Sequence, residues 1–247
     1  FDKKNNKPIK IGSSEAMSKS KKNIIDPEEV INNYGADAVR WFILSDSPPI
    51  RDVQWSNEGM VASYKFMQKI HNLVLKVINR NKEKKSKDHD ALLEKFVNKM
   101  TSNITKNLEN FQYNVVVANF HELYNMLDKF ISDEKISNEN FNNQIKKILI
   151  MLIPLAPHIA YECLEKVDSS IIKNNIKWPI YNPELLKDEK CTIVIQVNGR
   201  KRGSINVAMN LSENIVSEKS KKVDNVIRNI HNKKIIKQIY IKNKLIN

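Results

Sequence analysis

The chain has 247 residues, of which 41% are hydrophobic and 28% charged, and carries a formal net charge of +13. That length suffices for one or two domains with buried cores. No run approaches the ~18 apolar residues of a membrane span and no apolar signal-peptide core is present, so a cytoplasmic protein without membrane contact is expected. Cys163 and Cys191 are too few and too far apart for a disulfide framework or a zinc site, and read as reduced, packed thiols.

Residues 1–15 are polar and lysine-rich, with Asn5-Asn6 suggesting a turn and Pro8-Ile9-Lys10-Ile11-Gly12 a short strand. The strand delivers Ala16-Met17-Ser18-Lys19-Ser20-Lys21-Lys22-Asn23, where small hydroxyl residues alternate with ammonium groups just ahead of a helix start. Such a segment suits a polyphosphate. Lysines neutralise its charge, while hydroxyls and backbone N–H groups donate to its oxygens. Phosphoryl and nucleotidyl transfers depend mostly on positioning and charge stabilisation, so a cationic loop can carry chemistry. On residue types alone a solvated basic loop accounts for Ser-Lys-Ser-Lys-Lys as well, and both readings stand at this point.

Asp26 is a good N-cap, Pro27 suits the first helical position, Glu28 and Glu29 complement the positive helix terminus, and Gly35 supplies the C′ position. Asp37 helps start the next helix, in which Val39, Phe42 and Ile43 recur at helical spacing until Pro48-Pro49 stops it. Arg40 and Trp41 read as a surface arginine beside a packed indole, with nucleic-acid contact as the alternative. From Ser56 the period is near 3.6. Val61, Tyr64, Met67, Ile70, Val74, Val77 and Ile78 form a stripe on a helix over 57–80. Residues 80–89 are almost all charged or polar and read as a solvated connection.

A second long helix carries Leu92, Leu93, Phe96, Val97, Met100, Ile104 and Leu108, and a third carries Val116, Phe120, Leu123, Tyr124, Leu127 and Phe130. After a loop beginning at Ser132, a fourth carries Ile145, Ile148, Leu149 and Leu152, until Pro154 and Pro157 break or kink it; 159–166 continues helical. Four or five antiparallel helices with short connections predict a bundle, with the Met and aromatic positions as its core. His158 caps or packs. His71, His89, His121 and His231 have no metal-ligand or nucleophile pattern around them, and no metal site is expected.

Trp178-Pro179 and Tyr181-Asn182-Pro183 end the bundle in extended chain, and 183–190 reads as a linker. The texture then changes. Residues 191–197 are rich in β-branched types, Asn198-Gly199 is a two-residue hairpin turn, and 200–208 returns as a second strand with Gly203 as a candidate bulge. A helix over 212–229 and a strand over 234–241 complete a small ββαβ domain. Residues 191–247 hold 12 Lys/Arg against 3 Asp/Glu, +9 of the total +13. A basic terminal module of this kind suits RNA. The competing account, a compositional drift toward Lys, Asn and Ile, would also raise lysine in the first 190 residues, where acids nearly balance it.

The block Met17-Ser18-Lys19-Ser20-Lys21-Lys22-Asn23, Ile25-Asp26-Pro27 and Tyr34-Gly35-Ala36-Asp37-Ala38-Val39-Arg40 resembles the Lys-Met-Ser-Lys-Ser region of class I aminoacyl-tRNA synthetases. Ser45-Asp46-Ser47-Pro48-Pro49, Arg51-Asp52 and Trp55, with the hairpin Val197-Asn198-Gly199-Arg200-Lys201-Arg202-Gly203, resemble the leucine-specific bacterial branch of that family. The resemblance implies a mainly α fold: the end of a catalytic domain (1–55), an anticodon-binding-like helical bundle (56–182), and a basic α+β domain (191–247). It implies a ligase that activates leucine with ATP, supplied with Mg²⁺ as substrate and no prosthetic group, and then transfers the leucyl group to tRNA(Leu). Met17, Ser18, Lys19, Ser20 and Lys21 would hold the ATP phosphates, with Lys19 catalytic. Arg200, Lys201 and Arg202 would contact tRNA. The family has lysine at the first motif position, where this chain has Ala16; Lys10 is a candidate substitute.

The His-x-Gly-His signature of the family's nucleotide-binding fold does not occur in these residues, and neither does a Rossmann or P-loop glycine pattern. The chain is therefore expected to be the C-terminal part of a longer enzyme, inactive alone and monomeric as the family suggests, with leucine selection and editing upstream. Two alternatives remain. One is a stand-alone tRNA-binding module without catalysis. The other is a fragment of a valine or isoleucine enzyme, which shares the loop and the bundle but leaves the Ser-Asp-Ser-Pro-Pro stretch and the hairpin together unexplained.

Overall fold

A computed structural model describes residues 8, 12–81, 86–173, 176–186, 190–231 and 233–247. The expected strand at 8–12 and the candidate Lys10 lie outside the described residues. The chain forms two compact units, 1–182 and 183–247.

The first unit is helical: α1 (Pro27–Tyr34), α2 (Ala36–Asp46), α3 (Asn57–Ile78), α4 (Lys87–Glu109), α5 (Tyr113–Phe130), α6 (Asn138–Leu152), α7 (Pro157–Val167) and the single turn α8 (Ser170–Lys173). Local signals set the ends. Asp26 accepts from the Glu28 N–H at 2.9 Å to cap α1, and Gly35, at φ 82°, closes it with its N–H on the Ile31 carbonyl. Ser56 caps α3 through the Gly59 N–H, and Ser137 caps α6 through the Asn140 N–H. α2 packs on α3 and α5, α4 on α5 and α6, and α6 and α3 on α7, around one apolar core.

The stripes are placed with two shifts. On α3 the buried face runs through Met60, Phe66, Met67, Ile70, Leu73, Val74 and Val77, while Tyr64 and Ile78 of the expected stripe are exposed. On α4, Leu93 is buried and Leu92 exposed. Val77-Ile78 and Leu92-Leu93 are adjacent apolar pairs, and periodicity alone does not choose which member faces inward. α2 belongs to the same core. Trp41 stacks on Phe66 with ring centroids 5.0 Å apart and meets Phe120 edge-on at 5.8 Å, contacts worth ~0.5–1.5 kcal/mol each beyond burial.

Two polar clusters hold the connections. The α6–α7 break at Pro154 and Pro157 is bridged by α2. Asp37, buried, accepts from the Ile159 N–H at 2.7 Å and pairs with His158 Nδ1 at 2.8 Å. Arg40 donates to the carbonyls of Leu155 (3.0 Å) and Pro154 (2.7 Å). The second cluster corrects the reading of 80–89 as solvated throughout. Arg80 is buried, lies over the Phe141 ring, and donates to the carbonyls of Ile131, Asp133 and Ile136 and to Asn138 Oδ1. The loop between α5 and α6 has few backbone partners of its own, and one guanidinium fork satisfies its carbonyls.

The second unit has a short 3-10 turn (Pro183–Leu186) and then β1 (Lys190–Val197), β2 (Arg200–Ala208), α9 (Glu213–Ser220), α10 (Asp224–Ile230), β3 (Tyr240–Ile241) and β4 (Leu245–Ile246), with sheet order β2-β1-β4-β3. β1 and β2 form the antiparallel hairpin, and β4 runs parallel to β1. Ile193, Ile195, Val207, Val216, Val226 and Ile246 make a small core.

The fold is mainly α with a mixed α+β unit, as the resemblance implied. Two finer expectations differ. The helix over 212–229 is two helices, because Val223 is extended (ψ 122°) with its Cγ1 against the backbone space left by Gly203, where a Cβ would come within 3.0 Å. The strand over 234–241 is a short β3 that turns at Asn243 (φ 60°) into β4. Ile235 and Ile236 are both exposed, so no buried face sets a register before Tyr240.

Asp37→Ala is expected to cost about 2 kcal/mol in urea unfolding, from a lost cap and a stranded α7 N–H. Lys146 lies 2.8 Å from Asp168; that bond first, then the Ser170 hydroxyl and N–H, holds the Asp168 carboxyl down to about 2 from an ordinary 3.8. The folded-state value is depressed, so this stabilisation is complete above about pH 4 and fades as pH falls toward 2. Lys146→Met should lose stability at pH 6 and converge on the parent near pH 2 in acid titrations followed by circular dichroism.

Candidate functional site

Residues 12–26 form an exposed loop that runs into the capped start of α1. A turn closes it, with the N–H groups of Lys21 and Lys22 on the carbonyls of Ser18 and Lys19, at 3.2 Å each. Asn23 clamps the two ends. Its Oδ1 accepts from the Ser18 N–H at 2.8 Å and its Nδ2 donates to the Ala16 carbonyl at 3.4 Å. Lys22 takes a left-handed φ of 52° to make the turn. Gln54 donates to Ser14, tying the loop to the segment ahead of α3.

Within this frame the predicted residues differ. Ser18 and Ser20 face each other, with their Oγ atoms 3.2 Å apart. Lys21 Nζ is paired with Glu15 at 2.7 Å. Lys19 is exposed, and among the described residues no carboxylate pairs with it. Of the loop's first two cations, one is neutralised and one is open. Met17 is half-exposed beside them. The structural role of Asn23 was missed in the sequence, although an Asn five residues after a serine is the kind of residue that closes loops through its own amide.

The second candidate surface is the β1–β2 turn. Asn198 and Gly199 have φ of 52° and 75°, the left-handed pair that a tight hairpin of matching twist requires. The Gly199 N–H donates to Asn247 Oδ1 at 3.1 Å, fixing the turn against the end of β4. Arg200 and Lys201 are exposed opposite Val197 and Gln196. The bulge falls at Arg202, between the pairs Gln196–Lys201 and Ile195–Gly203, one residue before the expected site. Arg202 is half-buried; its Nε is enclosed and has no hydrogen-bond partner among the described residues. The loop and the hairpin tip lie in different compact units.

A cleft of about 750 Å³ beside α1, α2, α3 and α7 is lined by Tyr34, Tyr64, Gln68, His71 and His158. His158 is held by Asp37, and His71 Nε2 lies 3.7 Å from Glu162. His121 packs on Phe66, and burial, with Lys69 nearby, lowers its pKa. Burial pushes the Cys163 thiol up to about 12, which makes it a poor nucleophile. Among the described residues no group of three or more His, Cys, Asp or Glu is arranged to hold a metal, and no helix is long and apolar enough to cross a membrane.

A bundle of amphipathic helices entered through a lysine–serine loop defines a class. The family model "anticodon-binding domain of tRNA ligase" matches residues 90–217, just over half of the chain, and "tRNA synthetases class I (I, L, M and V)" matches 9–56. The chain belongs to the anticodon-binding-domain family of tRNA ligases. The individual relatives are more specific. A leucine–tRNA ligase of Bartonella quintana is 35% identical over 97% of this chain and 28% of its own length. One from Fervidobacterium nodosum is 34% identical over 94% of this chain and 29% of its own. The chain thus spans under a third of the relatives it matches. In fold it resembles the LeuRS of Agrobacterium radiobacter K84, solved as a ternary complex with tRNA and LeuAMS, with a TM-score of 0.74 and 22% identity over 94% of this chain and 30% of that one.

Proposed function

We propose that this chain is the C-terminal part of a leucine–tRNA ligase. Residues 1–55 supply the ATP-phosphate loop at the end of the catalytic domain, and 56–182 and 191–247 bind tRNA(Leu). The observation that carries the reading is the loop itself: Lys19 open in a turn clamped by Asn23 and placed directly before a capped helix. As charge develops on the ATP phosphates during leucine activation, Lys19 Nζ neutralises it. Ser18, Ser20 and the turn's N–H groups donate to the same oxygens. Met17 shapes the loop, and Lys21 contributes after exchanging Glu15 for phosphate. Mg²⁺ arrives with ATP as part of the substrate. Leucine itself binds in the part of the enzyme that lies outside these residues.

The bundle engages the tRNA body through phosphates, which gives affinity and position without sequence reading. Arg200, Lys201 and Arg202 at the hairpin reach the tRNA backbone, and the +9 carried by 191–247 supports that role. The leucine branch is supported over the valine and isoleucine branches by the curated relatives, which match along 94–98% of this chain.

In the longer enzyme, Lys19→Ala is expected to slow leucine-dependent pyrophosphate exchange about a hundredfold, or ~3 kcal/mol of barrier; a loss under about threefold would remove Lys19 from this role. Ala16→Lys with unchanged exchange kinetics would show that the first motif position no longer takes part. For the 247-residue chain, binding of leucine tRNA should weaken steeply across a salt series, and replacing Arg200 and Lys201 with Ala should lower the slope by about 2. A salt-independent affinity, or none, would refute the tRNA-binding assignment.

A further inference from the structure

The second unit contains a cavity of about 410 Å³ between the end of β1, helices α9 and α10, and the 233–239 segment, within the ~300–1,000 Å³ range of small-molecule pockets. Its floor is apolar, formed by Ile195, Val226, Ile230 and Ile246. Its rim carries Lys221, Lys234 and Lys237, and no aspartate or glutamate is among its described lining residues. Lys233 also lines it, with Nζ held on the Asn229 carbonyl at 3.1 Å. Glu213 is tied to the wall through Gln238, whose Nε2 donates to Glu213 at 2.8 Å and whose Oε1 accepts from Ser217. The space therefore favours a ligand that is flat or apolar at one end and anionic at the other.

Ser220 adds an independent observation. It lies in the last turn of α9, is 4% exposed and lines the cavity, and its Oγ has no hydrogen-bond partner among the described residues. A buried hydroxyl left without a partner is costly, and this one belongs to a residue in the cavity wall. Asn229 and Asn247 line the same space and offer amide donors and acceptors.

We propose that this cavity takes one unpaired ribonucleotide of a bound RNA, with its base against the isoleucine–valine floor, an edge or ribose group on Ser220 Oγ, and its phosphate on the lysine rim. The proposal rests on the reading of this unit as RNA-binding. Apolar side chains hold an unstacked base when a polar group meets its edge. RNA is favoured over a lipid or peptide anion by continuity. Asn198 of the hairpin turn is itself part of the lining, so the rim leads directly to Arg200 and Lys201. A strand whose backbone lies on that tip carries an adjacent nucleotide across the cavity mouth.

The test titrates the four nucleoside 5′-monophosphates, inorganic phosphate and laurate onto the ¹⁵N-labelled 247-residue chain, with tRNA binding measured in parallel. At least one monophosphate should shift the amides of Ser220, Asn229 and Ile239, and bind at least about tenfold more tightly than phosphate. Ser220→Ala, which removes an unpartnered hydroxyl without adding bulk at a buried position, should weaken that nucleotide about fivefold or more, as should the exposed Lys237→Ala. Arg200→Ala should weaken tRNA and leave the monophosphate unchanged. Phosphate binding as tightly as every nucleotide, or laurate binding more tightly than all four, overturns the proposal. So does tRNA binding with no cavity response to any nucleotide, which sinks the pocket itself. A cavity response with no tRNA binding overturns it through its premise instead.

Discussion

The first unit depends on one carboxylate working at a distance. α7 begins at Pro157 behind Ala156, and neither residue has a side chain able to cap it. Asp37, from a helix more than a hundred residues earlier, accepts the Ile159 N–H and holds His158. One turn along the same face of α2, Arg40 takes the carbonyls of Pro154 and Leu155 in the turn between α6 and α7. The two prolines that interrupt the helix thus create orphan donors and orphan acceptors side by side. α2 answers both with opposite charges spaced three residues apart. Ala38 and Trp41 of the same helix are buried, and Trp41 packs on Phe66 and Phe120, so α2 is anchored in the apolar core as well. α2 follows α1 across Gly35 alone, so the loop ahead of α1 enters the bundle through a short, fully specified path.

That junction was only half legible. Asp37 and Arg40 read locally, as a helix starter and a surface arginine, and His158 as a capping or packing residue. Local reading assigns a side chain to its own element, whereas capping here crosses between elements distant in sequence. Arg80 fails in the same way for the same reason. In a run of charged residues it looks solvated, yet its fork ties down the α5–α6 loop from inside. By contrast, the helices themselves were readable because their signals are local: an Asp or Ser at the N-cap, a glycine at C′, and apolar residues every three or four positions. Their inward edges were less so, as Tyr64 and Leu92 show, because a wide stripe can rotate by a residue at little cost.

The second unit shows where β patterning stops being informative. β1 alternates buried Ile193 and Ile195 with more exposed neighbours, and Asn198-Gly199 can adopt few turns, so the hairpin was specified. The 234–241 stretch has strong β composition and no buried face, and composition without a face does not fix a strand. Gly203 lies beside the bulge and not in it. The bulge lies at Arg202, and the missing Cβ of Gly203 admits Val223, which in turn breaks the helix over 212–229 in two. A single close approach accounts for both departures.

The candidate loop follows a simple economy of charge. A sequence of lysines and serines says only that an anion is welcome; it does not say which lysine is free. Glu15 occupies Lys21, and the Ser18 and Ser20 hydroxyls occupy each other, so among the described residues the motif's open cation is Lys19, followed by Lys22 just past the turn. All of these contacts are exposed, and exchanging them for phosphate oxygens costs little because water already competes for them. Asn23, in contrast, holds backbone groups and keeps the turn closed while the side chains exchange partners. On the proposed reading, the closed turn positions the phosphates and Lys19 stabilises their charge first, with Lys21 joining once Glu15 is displaced, in a chain that has Ala16 at the first motif position.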